Sequence, residues 1–233
     1  MNVNGVTVVA ESDERKKFIE LPYKLYKNDE NWVPPLRKDQ KKLIDTRKNP
    51  FFENAEMILF YAEKNGKPAG RIAAIIDHRF NEFHDAKTGH FGFFECIDDQ
   101  SLADLLFKVA EDWLRDKGME KIMGPASPSM MDTIGVLVEG FEKKPYILMP
   151  YNKAYYPKLF RDGGFEKEMG MFGYVVRDDT VSMDRIKRAG KIVMKRNPGL
   201  NIRPVNLKKM DDEALIIREI FNKAWAANWG FIP

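Results

Sequence analysis

The chain has 233 residues, and 44% of them are apolar, so it can bury a sizeable core and is not a disordered segment. Its 38 basic and 35 acidic residues leave a net charge of +3, which argues against a dedicated nucleic-acid binder. The single cysteine excludes an internal disulfide framework, and neither a secretory signal pattern nor 18 consecutive apolar residues occur. We therefore expect a cytoplasmic protein without a membrane partner.

The first third of the chain predicts a strand, a helix and a hairpin. Residues 6–10 (VTVVA) are rich in β-branched side chains and predict a strand. Residues 12–29 predict a helix that Pro22 kinks or divides. Residues 55–77 predict two strands joined by an Asn-Gly turn, because that dipeptide favours tight hairpins.

The central part alternates between strands and helices. An aromatic stretch at 90–98 (HFGFFECID) predicts a strand, and 98–118 predicts the clearest helix, with leucines and other apolar residues at helical spacing. A strand at 119–126, a long loop, a helix at 153–165 and a strand at 166–176 follow. This order predicts an α+β or α/β domain built on a mixed sheet.

A basic segment at 182–199 predicts a helix with an intermittent apolar stripe. Two interpretations of its charge stay open: a solvated connecting helix, or contacts with an acidic partner or a nucleic acid. The basic residues are Arg185, Lys187, Arg188, Lys191, Lys195 and Arg196.

The end of the chain echoes its beginning. A strand-like stretch at 200–206 and an amphipathic helix lead into Asn228-Trp229, as a strand and a helix near the start lead into Asn31-Trp32. An internal repeat of this size indicates two similar domains. We therefore expect a first domain at 1–176, a linker at 177–199, and the first strand and helix of a truncated second domain at 200–233.

Two stretches carry a resemblance to a known family. GFFECIDDQSLADLLFKVAEDWLRDKG at 92–118 and MPYNKAYYPKLFRDGGF at 149–165, with the order of elements, make the chain similar to the GNAT superfamily of acyl-CoA N-acyltransferases. The resemblance implies an α+β fold whose mixed, mostly antiparallel sheet is flanked by helices. It also implies the N-terminal part of a longer bacterial protein with two tandem domains.

The resemblance implies where an acyl-CoA would bind. In the family, a strand and the N-terminus of the following helix hold the pantetheine and the pyrophosphate, since helix N-termini attract anions. Here Leu105 replaces a small residue, and Asp98, Asp99 and Asp104 would repel a phosphate, so a self-capped structural helix is the alternative. The implied cofactor-binding residues are Phe94, Cys96, Gln100, Ser101, Leu102, Ala103 and Asn152. The alternative for Asn152 is the N-cap of the helix that follows it.

The implied catalytic residues are Glu95, as the base that deprotonates the amine, and Tyr156, as the acid that protonates the leaving thiolate. A strand-end or cross-strand partner is the alternative role of Glu95. Phe160 stands where the family has its tyrosine and cannot donate a proton, so Tyr156 or its neighbour Tyr155 would substitute, unless both are packing residues. A polar loop and the segment before the helix at 153–165 supply candidate substrate contacts: Asp132, Thr133 and Tyr151. The three histidines lack a compact metal spacing, so we expect no metal.

The function implied is transfer of an acyl group, acetyl in the first instance, from acetyl-CoA or another acyl-CoA to a primary amine of a small molecule or peptide. Because the helix start departs from the family pattern, we expect the first domain to depend on the second for much of the chemistry. The alternatives are a non-catalytic GNAT-like binding module, or a transferase using another activated donor such as an aminoacyl-tRNA. The sequence leaves a homo-oligomer open.

Overall fold

A computed structural model of the chain describes residues 2–3, 6–9, 12–177 and 183–233. The strands of the described part are β1 (Asn2–Val3), β2 (Val6–Val8), β3 (Ala55–Lys64), β4 (Lys67–Asp77), β5 (Thr88–Cys96), β6 (Lys121–Met123), β7 (Ala126–Ser127) and β8 (Thr133–Ile134). Its α-helices are α1 (Ser12–Leu25), α2 (Arg37–Leu43), α3 (His78–His84), α4 (Gln100–Asp116), α5 (Tyr156–Asp162), α6 (Met183–Arg196) and α7 (Met210–Trp225). Short 3-10 helices lie at Pro50–Glu53 and Leu207–Lys209.

One mixed sheet organises the fold. Its strand order is β1-β2-β3-β4-β5-β6, and every neighbouring pair is antiparallel except β5 and β6. The predicted hairpin is present, with its turn at Asn65 and Gly66, whose positive φ angles of 54° and 70° suit this dipeptide. The predicted fold class, a mostly antiparallel mixed sheet flanked by helices, is confirmed.

Helices cover both faces of the sheet. Helix α4 buries Leu106, Ala110 and Leu114 on one face, where they join aromatic residues of β5 and α5 in one apolar core. Helix α1 buries Phe18 and Leu21 on the other face. It continues through Pro22 without dividing. Burial of these apolar faces is the main force that holds helices to the sheet.

A bulge in β5 prepares the site. Arg71 and Ala73 of β4 pair with Glu95 and Gly92 of β5, so two residues of β5 oppose one residue of β4. Phe93, one of the two, has a φ of 50°. Bulges bend a strand and redirect its side chains. Beside the bulge, Gly92 lets the carbonyl of Ala126 approach, since a Cβ there would lie 1.7 Å from that oxygen.

The described residues form two compact units: one comprises the residues up to Glu166 together with Ala226–Pro233, and the other comprises Lys167–Trp225. In the first unit Ile232 is buried against Phe80 and Met130. No helix of the described part is long and apolar enough to cross a membrane.

Two predicted strands are wrong. Residues 166–176 and 200–206 have no regular secondary structure, although their sequences favour strands. An extended segment becomes a strand only when a neighbour satisfies its backbone groups, and neither segment has such a neighbour among the described residues. Helices α6 and α7 lie where helices were predicted. Part of the predicted linker, residues 178–182, lies outside the described residues.

Candidate active site around Glu95

Glu95 lies on β5 beside a cavity of about 530 Å³ in the first compact unit. Its side chain is 13% exposed. The cavity walls come from the segment after α1, from the end of β5, from the polar loop after β6 and from α5. Among the lining residues are Trp32, Val33, Arg71, Phe93, Phe94, Glu95, Ser127, Thr133, Ile147, Leu148, Tyr151, Asn152 and Tyr156.

Three side chains converge on the Glu95 carboxylate. Tyr156 and Tyr26 both donate hydrogen bonds to its Oε2 atom, at 2.6 Å and 2.9 Å. The Nη2 atom of Arg71 lies 3.7 Å from Oε1. Burial raises the pKa of Glu95, while Arg71 and the two tyrosines oppose that shift. The net upward direction makes this carboxylate a stronger base than an exposed glutamate.

Arg71 is the buried counter-charge of the site. It pairs with Glu95 across β4 and β5, so strand register places the two side chains on the same face. Its Nη1 atom donates to the carbonyl of Phe18 at 2.8 Å, and its guanidinium lies 4.8 Å from the Phe18 ring centre. Burial lowers the pKa of Arg71 and Glu95 raises it. A guanidinium stays protonated in proteins, so the pair is ionic whenever Glu95 is ionised.

Tyr156 connects Glu95 to the backbone of β5. Its hydroxyl oxygen accepts a hydrogen bond from the N–H of Cys96 at 2.9 Å, while its proton points to Glu95. The hydroxyl of the adjacent Tyr155 donates to the carbonyl of Cys96 at 2.8 Å. Burial raises the pKa of Tyr156 well above its ordinary value, with the Glu95 charge acting in the same direction. Tyr156 is therefore a neutral phenol at physiological pH.

A group of polar contacts lies beside Tyr26, whose ring is 4.7 Å from the Lys153 ammonium. Tyr151 donates to Oδ1 of Asp29 at 2.8 Å, and Lys153 donates to Oδ2 at 2.9 Å. Burial raises the pKa of Asp29, but the bonds from Lys153 and Tyr151 outweigh it and the net direction is downward. Trp32 stacks on the Tyr26 ring with centroids 5.1 Å apart. These contacts join the chain after α1 to the chain before α5.

The start of α4 satisfies its own polar groups. Asp99 is the N-cap and accepts from the N–H of Leu102 at 3.2 Å, and Lys64 pairs with its other oxygen. The Lys64 bond is the largest cause of a lowered Asp99 pKa. Gln100 donates to Asp104 at 2.7 Å and to the carbonyl of Leu159 at 3.1 Å.

These contacts do not fit the diphosphate of a coenzyme A. A phosphate at the helix start would need the N–H groups that the Asp99 carboxylate occupies, and it would meet that negative charge. Of the other residues predicted there, Leu102 and Ala103 are buried in the core, and Ser101 is exposed. The start of α4 therefore matches the alternative raised from the sequence, a structural helix that is capped by its own carboxylates.

The remaining predicted cofactor residues have structural contacts. Phe94 is buried and stacks on Phe107 with ring centroids 5.0 Å apart. Burial raises the pKa of the Cys96 thiol to about 12, so it is a neutral packed group. Asn152 does not cap α5, which begins at Tyr156. It accepts from the N–H of Leu137 at 2.7 Å and donates to the Leu137 carbonyl at 3.2 Å.

The predicted substrate residues separate into two groups. Thr133 and Tyr151 line the cavity next to Glu95. Asp132 is not among the lining residues, and its carboxylate accepts a hydrogen bond from the Ser129 hydroxyl at 2.6 Å, which stabilises the loop. No group of three or more His, Cys, Asp or Glu residues within the described ranges could hold a metal ion.

Sequence reasoning missed Arg71, Tyr26 and Asp29. For Arg71 the sequence contained a usable signal. A basic residue inside an otherwise apolar strand is seldom buried without a partner, so its position indicated a buried carboxylate nearby. Tyr26 and Asp29 had none, because a tyrosine at the end of an amphipathic helix is an ordinary packing residue. Their roles follow from contacts with β5 and with the chain before α5.

No family model matches the chain. It is 36% identical over 222 residues to the bacterial ceramide synthase of Caulobacter vibrioides (strain NA1000 / CB15N), and 35% identical over 222 residues to Protein YghO of Escherichia coli (strain K12). These matches cover 94% and 95% of this chain but 57% and 56% of the relatives. The chain therefore spans little more than half the length of the curated relatives it matches.

Among solved structures, an aminoglycoside acetyltransferase from an uncultured soil metagenomic sample matches in two complexes. The complex with sisomicin has a TM-score of 0.45 at 14% identity, and the complex with trehalose has 0.42 at 13% identity. Each match covers 75% of this chain and 98% of the solved chain. A likeness this distant assigns no function.

Proposed function

We propose that the chain supplies the amine-acceptor and acid–base site of an N-acyltransferase. The observation that carries the proposal is the buried Glu95 carboxylate, which faces a cavity and accepts hydrogen bonds from Tyr156 and Tyr26 on one oxygen. A base for an amine needs a raised pKa and access to a bound ligand. Glu95 combines an upward pKa shift with a place in the cavity wall.

In the proposed reaction the amine nitrogen bonds to the acyl carbon of the donor, and the bond from that carbon to its leaving group breaks. Glu95 takes one proton from the nitrogen. Tyr156 gives its hydroxyl proton to the leaving group and takes the proton that Glu95 acquired. No phenolate accumulates, which agrees with the raised pKa of Tyr156. Arg71 holds the Glu95 carboxylate in place and stabilises its ionised form.

The acceptor we propose is the primary amine of a long-chain amino alcohol. The loop between Pro145 and Pro150 lines the cavity with apolar side chains, and its Ile147 is 92% exposed. Apolar walls with a few convergent polar groups are typical of sites for ligands with hydrocarbon tails. The name of the Caulobacter relative, a ceramide synthase, points to the same chemistry, since a ceramide is the amide of a long-chain amino alcohol and a fatty acid.

The donor we propose is a fatty acyl thioester, with a fatty acyl-CoA as the first candidate. This donor differs in acyl chain length from the acetyl group that the sequence predicted. Because the start of α4 does not fit a diphosphate, we infer that the donor's phosphates bind elsewhere. The relatives are considerably longer than the matched stretch. In proteins of their length, we infer that a second, similar domain takes the phosphate-binding role.

Calorimetry tests the acceptor site directly. We expect octadecylamine to bind the 233-residue chain one-to-one. Butylamine should bind at least about tenfold more weakly, because each buried methylene contributes roughly 0.8 kcal/mol. Glu95→Gln should weaken octadecylamine binding, while the matched surface variant Glu120→Gln should not. Equal binding by Glu95→Gln and the unaltered chain would show that the amine does not reach Glu95.

The second candidate is a non-catalytic binding module, and the self-capped start of α4 favours it. A protein of the relatives' length distinguishes the two, with product amide measured by mass spectrometry. Loss of amide formation in Glu95→Gln supports catalysis at this site. If Glu95→Gln kept full activity and still bound the amine, the first domain would be a binding module and not the catalytic site.

A further inference from the structure

Helix α6 has an unusual distribution of charge. Its 14 residues, MDRIKRAGKIVMKR, contain six basic side chains and one carboxylate, Asp184, which gives a net charge of +5. The whole chain has a net charge of only +3. This helix therefore holds a positive charge larger than the net charge of the protein, and the rest of the chain is slightly acidic.

All but one of the apolar residues of α6 lie on one side, and the exception, Ile192, lies among the basic residues. At roughly 100° per residue, Met183, Ile186, Ala189, Gly190, Val193 and Met194 fall within an arc of about 140°. All six basic residues fall on the remaining side. Lys187 and Arg196 border the apolar arc, where long basic side chains can keep their charged ends in water while their stems cover apolar surface.

Nothing in the described residues neutralises this surface. Within the described ranges no cation of α6 makes an ion pair with a carboxylate, and the Arg188 side chain donates instead to the backbone carbonyl of Asp184. No α6 residue is buried, and Ile186 and Val193 are 52% and 49% exposed. A helix of this length is marginal in water when nothing covers its apolar side.

We propose that α6 binds in the plane of an anionic lipid bilayer, with its apolar arc in the acyl-chain boundary and its cations at the headgroups. Amphipathic helices with one strongly basic face and one apolar face associate with membranes in this way. A nucleic acid would match the charge, but it offers no apolar phase for methionine, isoleucine and valine. An anionic bilayer satisfies both sides of the helix.

Co-sedimentation of the 233-residue chain with vesicles tests the proposal. We expect binding to vesicles that contain phosphatidylglycerol, little binding to phosphatidylcholine vesicles, and weaker binding at about 0.5 M salt, where charges are screened within a few ångströms. Lys187→Glu/Lys191→Glu should reduce the partition coefficient by at least about 25-fold, since each basic residue near an anionic surface contributes roughly fivefold.

Two further variants separate the apolar from the charged contribution. Lys38→Glu/Lys41→Glu, on α2, changes the net charge by the same amount and should bind like the unaltered chain. Ile186→Asn/Val193→Asn should lose most binding with all cations retained. The proposal is overturned if the α2 and α6 charge variants behave alike, or if Ile186→Asn/Val193→Asn binds normally. Binding to RNA or an acidic protein without binding to vesicles would also overturn it. Vesicle binding is independent of Glu95, so failure of either proposal leaves the other intact.

Discussion

Glu95 and Asp99 lie a few residues apart, at the end of β5 and the start of α4, yet their surroundings differ. Glu95 is held by side chains from three separate segments of the chain and faces a cavity. Asp99 is held by the backbone of its own helix and by Lys64. The pKa of Glu95 is shifted upward and that of Asp99 downward. A carboxylate that stabilises the fold is satisfied by its neighbours, whereas a carboxylate suited to proton transfer retains a cavity beside it.

The largest expected difference between the two is in catalysis. In a protein of the relatives' length, Glu95→Gln should lower the rate of amide formation by about 10²- to 10⁴-fold, the usual contribution of a positioned base. Asp99→Asn should change it little, because asparagine also caps a helix. Single-turnover assays measure both rates. A large loss in Asp99→Asn, or tighter acyl-CoA binding by that variant, would make the α4 start a phosphate site.

The next largest difference is expected in stability, between the buried cation Arg71 and the half-exposed cation Lys64. Arg71→Met leaves Glu95 buried without its counter-charge and should lower the free energy of unfolding by about 3–5 kcal/mol. Lys64→Met removes a half-exposed partner of Asp99 and should cost less than about 1 kcal/mol. Urea unfolding of both variants measures the two values. Similar costs would mean that Arg71 and Glu95 do not form a buried pair.

The two carboxylates should also affect stability in opposite directions as pH changes. Glu95 has a raised pKa in the folded state. Its contribution to the free energy of unfolding is therefore complete below about pH 4.5 and is lost as the pH rises through the folded pKa. Asp99 has a lowered pKa, so its contribution is present above its unfolded value near 3.8 and is lost at lower pH. Unfolding of Glu95→Gln and Asp99→Asn across this range should therefore give difference curves of opposite slope. Curves of the same slope would contradict the assignment.

The smallest expected effect is that of Tyr155, the neighbour of Tyr156. Tyr155→Phe removes one hydrogen bond to the backbone of Cys96 and should cost about 1 kcal/mol of stability. Tyr156→Phe removes a bond with the same backbone and also the bond to the Glu95 carboxylate, so it should cost about 2–4 kcal/mol. Only Tyr156→Phe should lower the rate of amide formation, because only Tyr156 contacts Glu95. Equal rates in the two variants would remove Tyr156 from the proton path.

Much of the local structure was predictable because its causes are local. The apolar spacing of residues 98–118 predicted α4, and the Asn-Gly dipeptide predicted the hairpin turn. The predicted strands at 166–176 and 200–206 failed because a strand also depends on a partner that local sequence does not reveal. The position of Glu95 on a strand before a helix was predictable in the same way as α4.

The sequence by itself determined the order of elements, the aromatic strand that carries Glu95, and the surplus of carboxylates at the start of α4. Only the tertiary structure decided that Tyr156, Tyr26 and Arg71 meet at Glu95. Hydrogen bonds form only when donor and acceptor approach to about 3 Å, and strand register, a bulge and helix packing set those distances. Tyr26 and Glu95 are 69 residues apart along the chain, yet the Tyr26 hydroxyl lies 2.9 Å from Oε2 of Glu95.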